Sequence, residues 1–333
     1  MKDVAAHADV SVSTVSNAVN HPERVSPDVL RRVQKSIDEL GFIRNDAARQ
    51  LRDGRSRTIG FVMLDGKNPF FMDVARGAED RAAESGLALI FGDSARSPER
   101  EASYIDLFEE QRVRGVLISP YGDVQQRLER LRSRGVPAVL LNRRSADESF
   151  SSVSVDDVAG GRMAVEHLIS LGRRRIAFAG AEDTIQFTDR LAGAREAIAA
   201  NPGVSFEVLA VSVPHVLDGR AIGSEIAARR PEDRPDGVFA SNDVVAMGIL
   251  QAFDLADRPV IVPDDVALIG YDDIDFAATA AVPLSSIRHP AELIGATAVG
   301  ILLEEAARPE LPRRQVVFQP EMVVRASTRG NRA

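Results

Sequence analysis

Apolar residues near the amino terminus recur with the spacing of short helices. Val4, Ala5 and Ala8 fall on one side of a first helix. Two residues later, Ser11 can cap a second helix whose buried side includes Val15. Because the connection is so short, the chain must turn sharply. The pattern predicts a helix-turn-helix, although an ordinary helical hairpin with a capped second helix also fits it.

A third helix is predicted from Pro27 to about Leu40, where Gly41 ends it. Residues 1–43 are therefore expected to form a small all-α unit. Residues 44–57 are short, basic and closed by Gly and Ser, so a linker is expected there. Within it, Asn45 can cap a short helix that places Ala48 and Leu51 on one side, but a flexible linker with a helical tendency fits equally well.

From Thr58 the pattern changes to short, continuous apolar runs separated by amphipathic stretches. Such runs are typical of parallel strands that are covered on both faces of a sheet. The predicted strands are Ile59–Leu64, Leu87–Phe91, Gly115–Ser119, Ala138–Leu141, Val153–Val155, Arg175–Ala179, Glu207–Ser212, Val238–Ser241 and Val266–Gly270.

The two halves of this strand series resemble each other. RGVLISP at 114–120 parallels DGVFASN at 236–242, which indicates two similar α/β lobes. We expect one lobe to take residues about 58–157 plus about 284–312, and the other about 158–283 plus about 313–326. A cleft between such lobes, at the carboxyl ends of the strands, is where a small molecule would bind.

Composition limits the class of protein. The chain has 333 residues, 44% hydrophobic and 27% charged, as expected for a globular protein of two or three domains. No apolar run approaches the roughly 18 residues of a membrane span, and no signal peptide is recognisable. The absence of cysteine excludes disulfides and is consistent with a cytoplasmic location.

The charge is unevenly distributed. The formal net charge is -8, but the first 57 residues carry ten Lys/Arg against eight Asp/Glu. A weakly basic head on an acidic body favours binding through specific contacts over non-specific attraction to nucleic acid. On the second helix, the exposed side carries Val12, Ser13, Ser16 and Asn17, which are short enough to reach base edges and phosphates.

Motifs for catalysis are missing. The sequence has no G-x-G, P-loop, G-x-S-x-G or H-E-x-x-H motif, and its five histidines show no metal-ligand spacing. His167 lies within an amphipathic pattern that favours a structural role. Adjacent carboxylates, such as Asp156 with Asp157, rarely act on one substrate atom. We therefore expect neither an enzyme nor a bound cofactor or metal, although an α/β enzyme remains an alternative.

Several separate motifs agree on one family. DVAxxAxVSxxTVSxxxN at 3–20, Val25-Ser26 and ELGFIRNDAARQLR at 39–52 closely resemble the DNA-binding head of the LacI/GalR family of bacterial transcription regulators, and the resemblance continues to about residue 326. It implies a helix-turn-helix head and a periplasmic-binding-protein-like body of two doubly wound parallel-sheet lobes. The DNA-binding residues that it implies are Ser11, Val12, Ser13, Thr14, Ser16, Asn17, Asn45, Ala48 and Leu51.

The same resemblance implies a set of effector-binding residues in the cleft. They are Phe70, Phe71, Asn142, Asp156, Arg190, Asn242 and Asp272. Each polar member can satisfy a sugar hydroxyl, and the guanidinium can hold two oxygens at once. Other roles fit three of them: Arg190 could pair with Asp189, Asn242 could cap the next helix, and Phe71 could be core.

Three departures from the family pattern qualify the resemblance. Asp9 stands where the family usually has glycine, Arg44 replaces a proline before the hinge, and no heptad tail follows the body, so a dimer is expected. The chain as a whole suggests a repressor that binds a palindromic operator as a homodimer and responds to a sugar or related metabolite. A solute-binding protein with a vestigial head is the alternative.

Overall fold

The computed structural model describes residues 1–42, 56–181, 184–211 and 213–329. The chain divides into two compact units, Met1–Arg55 and Ser56–Ala333, which we call the head and the body. Each is described by itself.

The described part of the head is a three-helix unit: α1 (Lys2–His7), α2 (Val12–Asn20) and α3 (Pro27–Glu39), with a short 3₁₀ turn at Pro22–Arg24. Val4, Val15 and Val33, one from each helix, are fully or almost fully buried together. The predicted helix-turn-helix is confirmed.

Local chemistry explains where these helices begin and end. The Ser11 hydroxyl accepts a hydrogen bond from the Thr14 amide at 3.0 Å, which caps α2 as predicted. Asp9, in the turn, adopts φ +51°, a left-handed conformation that Asp tolerates better than most residues. Gly41 follows α3 with φ +57° and ends it. The predicted hinge residues Asn45, Ala48 and Leu51 lie outside the described residues.

The body is built from two parallel-dominated sheets of six strands each, in the orders β11-β5-β4-β3-β1-β2 and β12-β10-β9-β8-β6-β7. All pairs are parallel except β10 with β12. The strands are β1 (Thr58–Met63), β2 (Ala88–Asp93), β3 (Val116–Ile118), β4 (Ala138–Leu141), β5 (Ser151–Val155), β6 (Arg175–Gly180), β7 (Ser205–Ala210), β8 (Gly237–Ala240), β9 (Ala267–Asp272), β10 (Ser285–Arg288), β11 (Gln315–Phe318) and β12 (Glu321–Val323).

Helices cover the sheets, as the continuous apolar runs predict. They are α4 (Pro69–Ala83), α5 (Pro98–Glu110), α6 (Gln125–Ser133), α7 (Asp157–Ser170), α8 (Ile185–Ala199), α9 (Val216–Ala228), α10 (Asp243–Asp254), α11 (Asp275–Thr279), α12 (Ala291–Ala307) and α13 (Ala326–Arg329). No helix of the described ranges is long and apolar enough to cross a membrane.

The strands correct the expected lobe boundaries near the carboxyl terminus. The expected return to the first lobe at about residue 284 is too early, because β10 pairs with β9 in the second sheet. The expected return to the second lobe at about 313 is also too early, because β11 pairs with β5 in the first sheet. Both strands have only four residues, and the Ser-rich β10 lacks the apolar run that marks the earlier strands.

A close approach between α7 and α8 fixes the helix that carries Arg190. A Cβ atom on Gly193 would lie 1.9 Å from the Val158 carbonyl oxygen, and one on Gly161 would lie 1.9 Å from the carbonyl oxygen of Arg190 itself. Only glycine permits this contact, since any larger residue would force the two backbones apart. The contact between α7 and α8 therefore determines how far Arg190 lies below the surface of the lobe.

Candidate functional site

The cleft lies between the two lobes of the body, where strands β1, β4, β5, β8 and β9 end. It holds about 500 Å³ of space between protein atoms, including part of the solvent at its mouth. Clefts of this size accommodate small molecules. Its lining residues are Leu64, Asp65, Asn68, Phe70, Phe71, Arg96, Asn142, Val155, Asp157, Thr184, Gln186, Phe187, Arg190, Pro214, Asn242, Asp272 and His289.

Arg190 is the buried cation of the cleft. Its Nε donates to the Asp157 carboxylate at 2.8 Å, and Nη1 donates to the Ser241 carbonyl at 2.6 Å. Burial by itself would lower the pKa of Arg190, but the charges of Asp157 and other neighbours outweigh burial and raise that pKa above its usual value. The guanidinium therefore stays charged, with Asp157 and not Asp189 as its ion-pair partner.

Asp272 ends β9 and faces the same guanidinium, with 3.7 Å between its Oδ1 and Nη2 of Arg190. Its carboxylate accepts hydrogen bonds from Asn68 Nδ2 at 2.7 Å and from His289 Nε2 at 3.1 Å. The residue has φ +104°, which is unusual for an aspartate. These contacts hold the carboxylate in the cleft wall, where the resemblance predicted it.

Asn242 caps a helix and also lies in the cleft lining. It lines the cleft, and its Oδ1 accepts from the Val245 amide at 2.8 Å to cap α10, while Nδ2 donates to the Pro214 carbonyl at 3.2 Å. The neighbouring Asp243 is fully buried away from the cleft, bonded to Ser286 and the Ile274 amide. Burial, and next the charge of Asp272, raise the pKa of Asp243 well above its ordinary value.

The structure places Asp157, and not the predicted Asp156, in the cleft lining. The Asp156 carboxylate accepts from the Ala159 amide at 2.9 Å and caps α7, and Asp156 is not among the residues that line the cleft. Its neighbour Asp157 occupies that position and pairs with Arg190. The side chain that caps a helix belongs to the residue just before the first turn, which here is Asp156. With Asp156 in the cap, the side chain of Asp157 faces the cleft.

An aromatic wall is present at the start of α4. Phe70 and Phe71 are buried, line the cleft and contact each other edge to face, with 5.2 Å between ring centroids. Phe70 also packs on the His289 ring, with 4.3 Å between centroids. Both phenylalanines belong to the hydrophobic core as well, so the core role considered for Phe71 and a place in the cleft are compatible.

Hydrogen bonds connect the lobes directly across the cleft. Asn68, after β1, donates to Asp272, at the end of β9. Gln186 Nε2, in α8, donates to the carbonyl of Asn142 at 2.7 Å. A third bond joins Asp65 to Nε2 of His215 at 2.8 Å. The structure is therefore a closed form of the body.

The structure also brings in residues that sequence reasoning missed. Asp65, Asn68, Asp157, Gln186 and His289 all line the cleft. The first three stand at ends of predicted strands or beside predicted residues, so their positions carried a signal. Gln186 and His289 follow less regular segments and carried none. The described residues contain no group of three or more His, Asp or Glu that could hold a metal ion.

The head carries the candidate DNA-binding surface on α2. Val12, Ser13 and Asn17 are exposed, and the apolar Val12 keeps 45% of its surface in solvent. The Ser11 hydroxyl contacts the Ser13 and Thr14 hydroxyls at 2.7 and 2.8 Å, while Ser16 is half-buried. The result is a continuous surface of short polar side chains beside one apolar one.

Comparison with known protein families gives two matches. Residues 1–45 match the model of bacterial regulatory proteins of the lacI family, and residues 165–328 match a periplasmic binding protein-like domain. Together the two matches cover most of the head and most of the second lobe.

Similar proteins align over nearly the whole chain. The ribose operon repressor of Bacillus subtilis is 34% identical over 99% of this chain and 98% of its own. The repressor PurR of Photobacterium profundum is 30% identical over 99% and 98%.

Solved structures agree. The lac repressor dimer bound to operator and the anti-inducer ONPF matches 98% of both chains with TM-score 0.81 and 26% identity. A LacI family regulator from Enterococcus faecium with bound ribose matches 81% of this chain and 98% of its own, with TM-score 0.74 and 26% identity. With its helix-turn-helix head and two-lobed body, the chain belongs to the LacI family of bacterial regulatory proteins, which are DNA-binding transcription regulators.

Proposed function

We propose that this regulator is a repressor that binds a palindromic operator as a homodimer and is controlled by a sugar or related metabolite in the cleft. The observation that carries the proposal is Arg190, fixed between Asp157 and Asp272 in a closed cleft with an aromatic wall. Such sites suit molecules rich in hydroxyls, because each buried hydroxyl needs a fixed partner. The ribose operon repressor and the ribose-bound regulator from Enterococcus faecium support a sugar.

The head would read DNA through α2. Its exposed Val12, Ser13 and Asn17 would contact base edges, while Ser11, Thr14 and Ser16 would position the helix and meet phosphates. In the linker at 44–57, Asn45 would cap a hinge helix, with Ala48 and Leu51 entering the minor groove, where an apolar wedge can kink the duplex. Hinge formation on DNA would then couple the head to the body at 58–326.

Control would run through closure of the lobes. A ligand that binds the closed form more tightly than an open form shifts the population toward closure. Closure changes the spacing of the two hinge entries in a dimer and hence operator affinity. On this proposal the body recognises its ligand without chemical turnover, in keeping with relatives that are transcriptional repressors.

Selection of DNA from a random duplex pool tests the proposal. Full-length protein is incubated with the pool at moderate salt, with and without a panel of sugars. We expect enrichment of a palindrome with a flexible central step, which one sugar abolishes or strengthens. Failure to enrich any sequence under any condition would contradict the repressor and favour a solute-binding protein with a vestigial head.

Two substitutions locate the contacts. Asn17→Ala should weaken binding to the selected palindrome because it removes a hydrogen-bonding group from the exposed side of α2. The loss of binding free energy should be about 1–3 kcal/mol if Asn17 contacts a base.

Leu51→Ala should weaken the same complex and leave sugar binding intact. Unchanged operator affinity in the Leu51 variant would contradict the hinge assignment.

A further inference from the structure

Three buried polar atoms of the cleft have no hydrogen-bond partner in the described structure: Oε1 of Gln186, Nδ1 of His289 and Oγ1 of Thr184. All three residues line the cleft. A buried polar atom without a partner costs free energy, so such atoms are normally paired with protein, water or ligand. Their concentration in one cleft indicates that a bound molecule completes them.

For two of these atoms, the hydrogen bond made by the other polar atom of the same side chain indicates an acceptor. Nε2 of Gln186 donates to the Asn142 carbonyl, which leaves Oε1 as the free end of that amide. Nε2 of His289 donates to the Asp272 carboxylate, so in the neutral ring Nδ1 carries the lone pair. A partner that presents O–H donors satisfies Oε1 of Gln186, and a hydroxyl, which both donates and accepts, also satisfies Nδ1 of His289.

The charges of the cleft point in the same direction. Its described lining carries three carboxylates, Asp65, Asp157 and Asp272, and two guanidinium groups. Arg190 is bonded to Asp157 and the Ser241 carbonyl, and it faces Asp272. The Arg96 guanidinium lies over the Phe187 and Tyr121 rings. The phosphate group of a sugar ester would add only acceptors, and about two negative charges, to this lining.

We infer that the effector is a neutral, hydroxyl-rich molecule, and that the cleft discriminates against the phosphate ester of the same sugar. Gln186, His289 and Thr184 are then recognition residues beside the predicted set. The inference rests on the proposed function, since it names the chemical class of ligand for the same cleft.

Binding to matched pairs of probes tests this inference. The full-length protein is titrated calorimetrically with D-ribose and ribose 5-phosphate, D-fructose and fructose 1-phosphate, and D-glucose and glucose 6-phosphate. We expect at least one free sugar to bind, and its ester to bind at least tenfold more weakly. An ester that binds as tightly as its sugar, or more tightly, overturns the inference and leaves a ligand-controlled repressor standing. If no probe binds, both this inference and the proposal that the effector is a sugar are overturned. DNA selection without sugars tests DNA binding by the head separately.

Thr184→Val separates recognition from structure. The substitution removes only a buried hydroxyl that has no protein partner, so the melting temperature without sugar should stay the same or rise. The affinity for the bound sugar should fall at least tenfold. Thr188→Val, one turn further along α8, removes an exposed hydroxyl that bonds the Thr184 carbonyl and should leave sugar affinity unchanged. If the Thr184 variant instead has a lower melting temperature and an unchanged affinity for the sugar, the role of Thr184 in recognition is overturned.

Discussion

At the scale of single residues, the environment of Arg190 combines structure and recognition. The guanidinium is buried against one carboxylate and within 3.7 Å of another. Breaking a buried ion pair from one side leaves an uncompensated charge, which costs more than the pair contributes. The Cζ atom of Arg190 also lies 3.6 Å from the centroid of the Tyr271 ring, a cation–π contact.

Arg190→Ala should therefore lower the free energy of unfolding by about 3–5 kcal/mol, measured by urea denaturation of the full-length chain. Asp189→Asn is the matched control, because Asp189 is half-buried and is not the ion-pair partner. It should change stability by less than about 0.5 kcal/mol. Equal losses in the two variants would contradict the pairing with Asp157.

The half-buried His167 should make the free energy of unfolding depend on pH. Burial, and next the charge of Arg329, lower the pKa of His167 below its ordinary value. The unfolded chain then takes up a proton at a higher pH than the native chain. Stability is complete above the ordinary histidine pKa and falls as the pH drops through it. His167→Asn should reduce the loss of stability between pH 7 and pH 5, and identical pH profiles by urea denaturation would contradict the shift.

The family resemblance identified several of the polar and aromatic residues that the structure places in the cleft. Arg190, Asn242, Asp272, Asn142 and both phenylalanines line the cleft. It placed Asp156 one residue off, since the sequence does not show which of two adjacent aspartates caps α7. It missed His289, because β10 reaches the cleft only through a pairing with β9 that its short pattern does not reveal.

At the scale of elements, a side-chain cap stabilises the first turn of α2. The Ser11 side chain satisfies the Thr14 amide, whereas Ser26, at the same position before α3, makes no side-chain cap bond. The two serines are therefore a natural matched pair for measuring the contribution of the cap.

Ser11→Ala should lose about 1 kcal/mol of local helix stability, while Ser26→Ala should lose little. Hydrogen exchange of the full-length protein, followed in a peptide covering 11–20, measures this directly. We expect faster exchange in the Ser11 variant alone. Equal acceleration in both variants would mean that the hydroxyl bond does not stabilise α2.

The crossing of α7 and α8 is the second feature at this scale. Gly193→Ala would push α8 away from the Val158 carbonyl and displace Arg190, so we expect a loss of about 1–3 kcal/mol and weaker effector binding. Gly300→Ala in α12 is the control, because no atom lies within 4 Å of the added Cβ. That change should be neutral or stabilise the chain by up to about 1 kcal/mol. Urea denaturation compares the two, and a larger loss at Gly300 would contradict the packing argument.

At the scale of the whole body, hydrogen bonds across the cleft hold the two lobes together. Asn68 to Asp272 and His215 to Asp65 join residues far apart in the chain. Each bond of this kind contributes about 0.5–1.5 kcal/mol. Together the two bonds contribute about 1–3 kcal/mol to holding the lobes closed.

The double variant Asn68→Ala/His215→Ala should open the body. Amides at 65–71 and 213–216 should exchange faster with solvent, in proportion to a shift of about 1–3 kcal/mol. Asn201→Ala, which removes a surface bond to the Ala197 carbonyl in the second lobe, should leave those amides unaffected. Unchanged exchange in the double variant would show that packing alone holds the lobes together.

The late strands also constrain how the protein is made. The first lobe lacks its edge strand β11 and its covering helix α12 until residues 291–318 have been synthesised. Until then, the side of α4 that meets α12 at Gly77 and Gly295 has no cover. The second lobe likewise lacks β12 until residue 323. Both lobes are thus completed only after residues 318 and 323 have been synthesised. A chain terminated before them would carry the head on an unfinished body, and proteases would remove such a product before it competed for operators.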